Sequence, residues 1–308
     1  MPLYRNPDFR RLPSGLADVF YKCSGNSFFS LPAWYDLMSR HGVLEGTEIR
    51  IYTDERPASA TAILLQNATG KARRSLVSLT NAHSPEHATL TGPGADLDAA
   101  IDAVLSEIFA ERPQWDCLRL AELDPRDASY AILVGGLRRA GLFVESTFDS
   151  GTWYEDTAGL SFADYLAARP SELRNTWRRK RRTLDRSNRL TTGFFGYDLG
   201  LDQALADYQT IYAASWKPPE YFPEFVPGLI RLAGPLGALR LGIYYIDRVP
   251  AAAQFWILWN SRAVICKLAH DKRFDDLSRH PPHDGNVRAC AGRGSPAGNQ
   301  PWARRRPV

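Results

Sequence analysis

Residues 239–271 read LRLGIYYIDRVPAAAQFWILWNSRAVICKLAHD. Three apolar runs, Leu239–Ile246, Ala251–Trp259 and Ala263–His270, are separated by two short polar breaks. The runs have strand length and the breaks have turn length, so the stretch predicts three consecutive strands. Gln254 interrupts the middle run. It either reaches a ligand or satisfies a neighbouring strand. Lys267-Leu268-Ala269-His270-Asp271 closes the third run. A His beside an Asp where a strand ends suits acid/base chemistry, and suits a plain surface turn as well.

Upstream, Leu190–Phe195 reads as a strand and Asp202–Ser215 as a helix. Phe222–Ala233 reads as a helix after the Pro-rich link Lys217-Pro218-Pro219. Ser161 can cap a short helix with Asp164 three residues on, and Ser171 the next, to about Arg186. Further back, helices are expected at Ser27–His41, Leu97–Phe109 and Ser129–Arg139. Strands are expected at Glu48–Tyr52, Ala60–Leu65, Ser75–Thr80, Trp115–Leu120 and Leu142–Phe148, with a turn at Asp54-Glu55-Arg56-Pro57. Strands alternating with helices give an α/β, α+β-layered class. Length sets two domains as the prior, at about 100–200 residues each. The boundaries fall at 1–155 and 156–278, with 279–308 an Arg/Pro/Gly-rich tail that reads as disordered. Ile51-Tyr52 … Pro57-Ala58 … Ala82-His83 parallels Ile243-Tyr244 … Pro250-Ala251 … Ala269-His270, which suggests that the two lobes repeat one plan.

The formal net charge of +4 belongs to the tail, which holds six Arg and one acid. The remainder has 32 basic and 33 acidic residues. A near-neutral body argues against nucleic acid as a partner. The N-terminus lacks the apolar core of a signal peptide, and no run approaches the ~20 residues of a membrane helix. Four scattered cysteines without a CxxC pair fit free thiols in a reducing cytosol, so a cytoplasmic location is expected.

Glu172–Arg186 is dense in charge around a thin apolar stripe of Leu173, Trp177 and Leu184. Arg174/Arg178, Arg178/Arg182 and Arg182/Arg186 are like-charged i,i+4 pairs, each costing a helix roughly 0.2–0.5 kcal/mol. Acids of the same protein, a phosphate- or carboxylate-bearing ligand, or a nucleic acid would each relieve the repulsion. No GxSxG, HExxH, Walker loop or GxGxxG is present. His83 and His87 around Pro85-Glu86 make a poor metal signature, and no metal is expected. Trp216-Lys217 and Trp153-Tyr154-Glu155 are aromatic-polar clusters that can line a pocket or cap a core.

Taken in order, several segments resemble the CelD-like branch of the GNAT-superfamily acyltransferases, named for bacterial cellulose biosynthesis and related to the FemAB-type aminoacyltransferases. They are Ser30–Trp34, the Arg run of Leu173–Leu184, Ser215-Trp216-Lys217-Pro218, Val249–Trp256 and Lys267–Asp271. The resemblance implies tandem GNAT-like lobes with mixed, mostly antiparallel sheets and flanking helices. It implies that the second lobe takes acetyl-CoA or another acyl-CoA and passes the acyl group to an amine or hydroxyl of a small-molecule or glycan acceptor. Lys267, His270 and Asp271 are then expected at the transfer centre. Gln254, Trp216, Lys217 and Ser278 are expected along substrate or cofactor, with Arg178 and Arg182 on phosphate or an acidic acceptor. A non-catalytic binding or assembly protein for polysaccharide synthesis is the alternative. A FemAB-like use of aminoacyl-tRNA would bring salt-dependent RNA binding, against which the neutral body argues.

After such a strand the family reads Leu-Ser-Pro-Gly-Thr and enters a helix whose free N–H groups hold the CoA pyrophosphate. Here Leu277-Ser278 is followed by Arg279-His280-Pro281-Pro282. Two prolines forbid a regular helix interior there. A reading-frame shift after Ser278, leaving the second lobe incomplete, accounts for the change. Read from the second base of each codon, Arg279–Asn286 can encode Gly-Thr-Leu-Leu-Thr-Met-Glu-Met, and Trp302 followed by Ala303 must encode Gly. Sequencing the gene across codon 278 tests this: the expected result is codons that yield the Gly-Thr-Leu series in the shifted frame, and codons incompatible with it refute the shift.

Overall fold

The computed structural model describes residues 3–25, 27–54, 61–68, 73–87, 89–92, 94, 96–148, 151, 154–187, 189–196 and 200–274. The expectations at 55–57, at Trp153, at Ser278 and over the tail 279–308 lie outside the described residues. The chain forms two compact units, one of residues 1–152 with 224–228 and one of 153–223 with 229–308. It is a mixed α+β protein with two mostly antiparallel sheets and flanking helices.

In the first unit β1 (Leu3–Arg5), β2 (Ile49–Asp54), β3 (Thr61–Asn67) and β4 (Ser75–Ser78) pair antiparallel in that order. The short β5 (Leu90–Thr91) pairs β3, and β6 (Cys117–Arg119) runs parallel to β4. Helix α1 (Ser14–Ser24) buries Leu16, Val19 and Phe20, and α2 covers Pro32–His41. The expected single helix over Ser27–His41 is instead a 3-10 turn at Phe28–Ser30 followed by α2. The reason is Pro32, which occupies the first turn of α2 and pushes Leu31 into extended backbone. Helices α3 (Leu97–Ala110) and α4 (Ala128–Arg139) start where Asp96 and Asp127 accept backbone N–H bonds. Their apolar faces close one core of Tyr52, Ile63, Leu65, Leu76, Ile101, Val104, Leu105, Leu133 and Leu137. Gly136 makes the approach possible, since a Cβ there would lie 2.9 Å from Ile101.

At one end of this core sits a buried ion pair. The Arg50 guanidinium binds Glu111, donates to Tyr52 Oη at 3.1 Å, pairs Glu48 at 2.6 Å and lies 4.7 Å from the Trp115 ring centroid. Burial alone would raise the Glu111 carboxyl, but the bonds from Tyr52 and Arg50 outweigh it and hold that carboxyl below the usual range. The strand expected at Leu142–Phe148 has no ladder partner among the described residues, and Phe143 and Phe148 are exposed. Alternation along the chain cannot by itself supply a neighbouring strand.

In the second unit α5 (Phe162–Ala167) opens on the capping box of Ser161 and Asp164. It is followed by α6 (Ser171–Ser187), β7 (Leu190–Phe195), α7 (Leu201–Ala213) and α8 (Phe225–Ala233), of which residues 229–233 belong to this unit. Helix α8 begins three residues later than Phe222, with Pro227 in its first turn, where a missing N–H costs nothing. Then come β8 (Leu239–Ile246), β9 (Val249–Trp259) and β10 (Arg262–His270). The sheet is antiparallel throughout, in the order β10-β9-β8-β7. Asp247-Arg248 and Asn260-Ser261 turn the two hairpins, all four with positive φ of 43–65°. Two consecutive positive-φ residues match the right-handed twist of the strands they join.

His87 is buried, its Nδ1 has no hydrogen-bond partner among the described residues, and burial pushes its pKa down to about 4. An unfolded His87 takes its proton near pH 6.5, so between pH 6.5 and 4 the unfolded chain binds more protons. Stability is therefore intact above pH 6.5 and falls as pH drops, by up to roughly 3 kcal/mol at pH 4. His87→Leu is expected to flatten this acid limb in urea titrations at neutral and acid pH; an unchanged limb places the loss elsewhere.

Candidate functional site

Residues directly opposite in antiparallel strands point to the same side of the sheet. In the second unit this divides the expected site residues between two faces. Leu241, Phe255 and Lys267 are cross-strand partners, as are Ile243 and Ala253. Their face carries α7: Tyr245 Oη donates to Asp207 Oδ2 at 2.6 Å, and the Lys267 ammonium lies 5.7 Å from the Tyr212 ring centroid. Gly242, Gln254 and Leu268 are partners on the opposite face, as are Tyr244, Ala252 and His270. Lys267 and His270 thus stand three residues apart on opposite sides of β10.

The loop after α7 meets the end of β10, where the Lys272 N–H donates to Ala214 O at 3.2 Å. Its residues reach both faces. On one, Lys267 Nζ donates to Glu220 Oε1 at 2.6 Å, with both side chains only 16% exposed. Burial, helped by a bond to Glu220, pushes the Tyr212 phenol up to about 12. Lys217 is held below the usual lysine range, first by burial and then by Lys267, with Glu220 opposing. On the other face, the Trp216 ring lies 4.4 Å from that of His270, tilted by 43°, and Trp216 is 53% exposed. One ring thus flanks the imidazole while keeping half its surface for another contact.

Gln254 is fully buried, and among the described residues neither its amide oxygen nor its amide nitrogen has a partner. A buried amide in this state costs about 1–3 kcal/mol for each unmet group. Asp271 is 1% exposed and accepts from Arg273 Nε at 2.9 Å and Nη2 at 2.6 Å. It also accepts the Arg273 N–H at 2.8 Å, which starts the 3-10 turn Lys272–Phe274. Those bonds hold its carboxyl below the usual range against the effect of burial. An occupied carboxylate of this kind orients backbone and is a poor proton acceptor.

Arg178 and Arg182 are exposed on α6, and among the described residues no bond joins them to the β10 group. Ser278 lies outside the described residues. His83 stacks on Phe225 at 5.0 Å while His87 is buried, and no group of three or more potential metal ligands occurs among the described residues. Tyr154 is exposed, and Glu155 pairs with Arg169. Glu220, Tyr212 and Arg273 hold the site together but carry no sequence signal. Glu220 follows two prolines in a loop, and only the folded chain brings it to Lys267, 47 residues away.

Residues 171–282 match the family model of the acetyltransferase (GNAT) domain. The matched stretch begins in the first turn of α6 and includes the sheet of β7–β10. No curated protein sequence matches the chain. Among solved structures the chain is similar to the C-terminal (DUF2156) domain of a protein named as a lysylphosphatidylglycerol synthetase, from Agrobacterium fabrum. The identity is 11% and the TM-score 0.44, over 84% of this chain and 70% of that one. No helix among the described residues is long and apolar enough to cross a membrane.

A double-mutant cycle of Lys267→Met and Glu220→Gln, followed by urea unfolding, is expected to return a coupling of about 1–3 kcal/mol for this shielded pair. A coupling under about 0.3 kcal/mol would mean that solvent screens it.

Proposed function

We propose that the second unit is the acyl-transfer lobe of a GNAT-type N-acyltransferase. Its donor is acetyl-CoA or another acyl-CoA, and its acceptor an amine or hydroxyl of a small molecule or glycan. The observation that carries this reading is the outer edge of β10. It has no strand partner among the described residues, yet it ends at His270 beneath Trp216. An unpaired edge offers backbone N–H groups that can polarise a thioester carbonyl laid along it. The acceptor nitrogen or oxygen then attacks the carbonyl carbon and the C–S bond breaks. The CoA sulfur leaves as a thiolate and takes up a proton, while His270 accepts the proton of the acceptor. Trp216 shields one side of the imidazole. Gln254, on the same sheet face and without partners of its own among the described residues, has an amide suited to a polar group of the acceptor. Lys267 and Glu220 tie the Trp216 loop to the strand. Asp271, engaged with Arg273, positions the end of β10. The motif order of the sequence supports the CelD-like branch and a role in envelope or exopolysaccharide chemistry.

Calorimetry with acetyl-CoA tests the donor. The 308-residue chain is expected to bind weakly or not at all, and a chain with the frame restored after Ser278 to bind at micromolar Kd. Micromolar binding by the 308-residue chain contradicts the truncation; no binding by the restored chain removes the acyl-CoA reading. In the restored chain, His270→Ala is expected to lower kcat by about 10²–10⁴ with little change in acetyl-CoA affinity.

A further inference from the structure

Helix α6 carries seven basic residues against two acidic ones. At about 100° per residue, Arg178, Arg179, Arg182 and Arg186 fall within one arc of roughly 100°. Leu173 and Trp177 lie about 180° away, and Trp177 packs at 5.7 Å against Phe162 of α5. The Trp177 side of the helix thus meets α5, while Leu173 is 49% exposed, and the arginine arc lies on the opposite side. All four arginines are exposed. Among the described residues, none of the four has an acid within ion-pairing reach, although Arg169, Arg189 and Arg273 of the same unit are all paired. Among the described residues, the repulsion along this helix is therefore not offset by an acid paired with any of the four.

From this arrangement we infer that the α6 arc is a docking surface for an anionic phospholipid membrane. The arc is a straight, convex line about 12 Å long from Arg178 to Arg186, which fits a plane of phosphate groups. A nucleic acid fits less well. The body of the chain is near neutral outside its tail, and the one aromatic ring of α6 faces Phe162, so no ring on the arc can stack on a base. Adsorption here is electrostatic, reversible and weakened by salt. It does not depend on the acyl-transfer reading, because no residue of the β10 group takes part.

Flotation of the full 308-residue chain with vesicles tests the surface. The chain is expected to float with phosphatidylcholine vesicles containing phosphatidylglycerol, to stay behind with pure phosphatidylcholine, and to be released by high salt. Replacing Arg178, Arg179, Arg182 and Arg186 by Gln is expected to weaken partitioning by roughly 100-fold or more. A control with Arg112, Arg119, Arg138 and Arg248 changed to Gln removes equal charge elsewhere and is expected to float nearly as the parent does. Circular dichroism of both variants should retain the parent helix content, since the change relieves like-charge repulsion. The inference is overturned if the α6 variant floats as well as the parent, if the control loses as much, if neutral vesicles capture the chain equally, or if a single-stranded RNA oligomer binds the arc more tightly than the anionic vesicles do.

Discussion

The arrangement of the second unit depends on one extra residue in β10. Along β9 and β10 the pairing runs regularly until Ile265 faces Trp256, and then Lys267, not Cys266, faces Phe255. The bulge at Cys266 resets the period-two alternation of everything after it. Without it Lys267 would leave Glu220 and Tyr212 for the opposite face, and His270 would turn away from Trp216. The whole division of labour at β10 follows from this single offset. On one face a shielded ion pair ties down the loop; on the other an imidazole lies beside a half-exposed indole. A second irregularity, between Tyr244 and Tyr245 on the other side of β9, shifts the neighbouring pair at the same end of the sheet.

Local chemistry made much of the fold legible in the sequence. The Ser161/Asp164 box marks a helix start because it satisfies N–H groups that have no other partner. The three apolar runs of 239–271 became β8, β9 and β10 because each is bounded by residues able to turn. What escaped was either short or non-local. Leu3–Arg5 is too brief to show alternation and becomes a strand only by adding to β2. The Leu16, Val19, Phe20 spacing of α1 was available, but it follows a Gly-bearing start that reads as loop. At the site, His270, Trp216 and Gln254 could be named from their neighbours in sequence. The face each takes could not, because a bulge leaves no mark on composition. Glu220 was invisible for the same reason that it matters: its partner is distant along the chain.

Buried polar groups are handled in two ways. In the first, Arg50 enters the interior already surrounded by Glu111, Tyr52, Glu48 and the face of Trp115, so its charge is answered by the chain itself. Such a network is costly to break and gives the end of the core one arrangement. In the second, the Gln254 amide has no answering group among the described residues. Stable folds keep few such groups, and those they keep concentrate where another molecule completes the bonding.

The connectivity of the sheets also sets an order of assembly. β8, β9 and β10 are joined by tight two-residue turns, so their pairing needs only local closure, on a timescale of about 1–10 μs for a hairpin. In the first unit β2–β3 and β3–β4 also pair between neighbours in sequence, but the rest of the sheet is non-local. Leu3 must find Tyr52, and β6 can join β4 only after the chain has passed through α3. Loop-closure entropy has to be met there before any contact repays it, which makes that sheet the slower to form. The strand that carries His270 therefore belongs to the part of the molecule able to organise fastest.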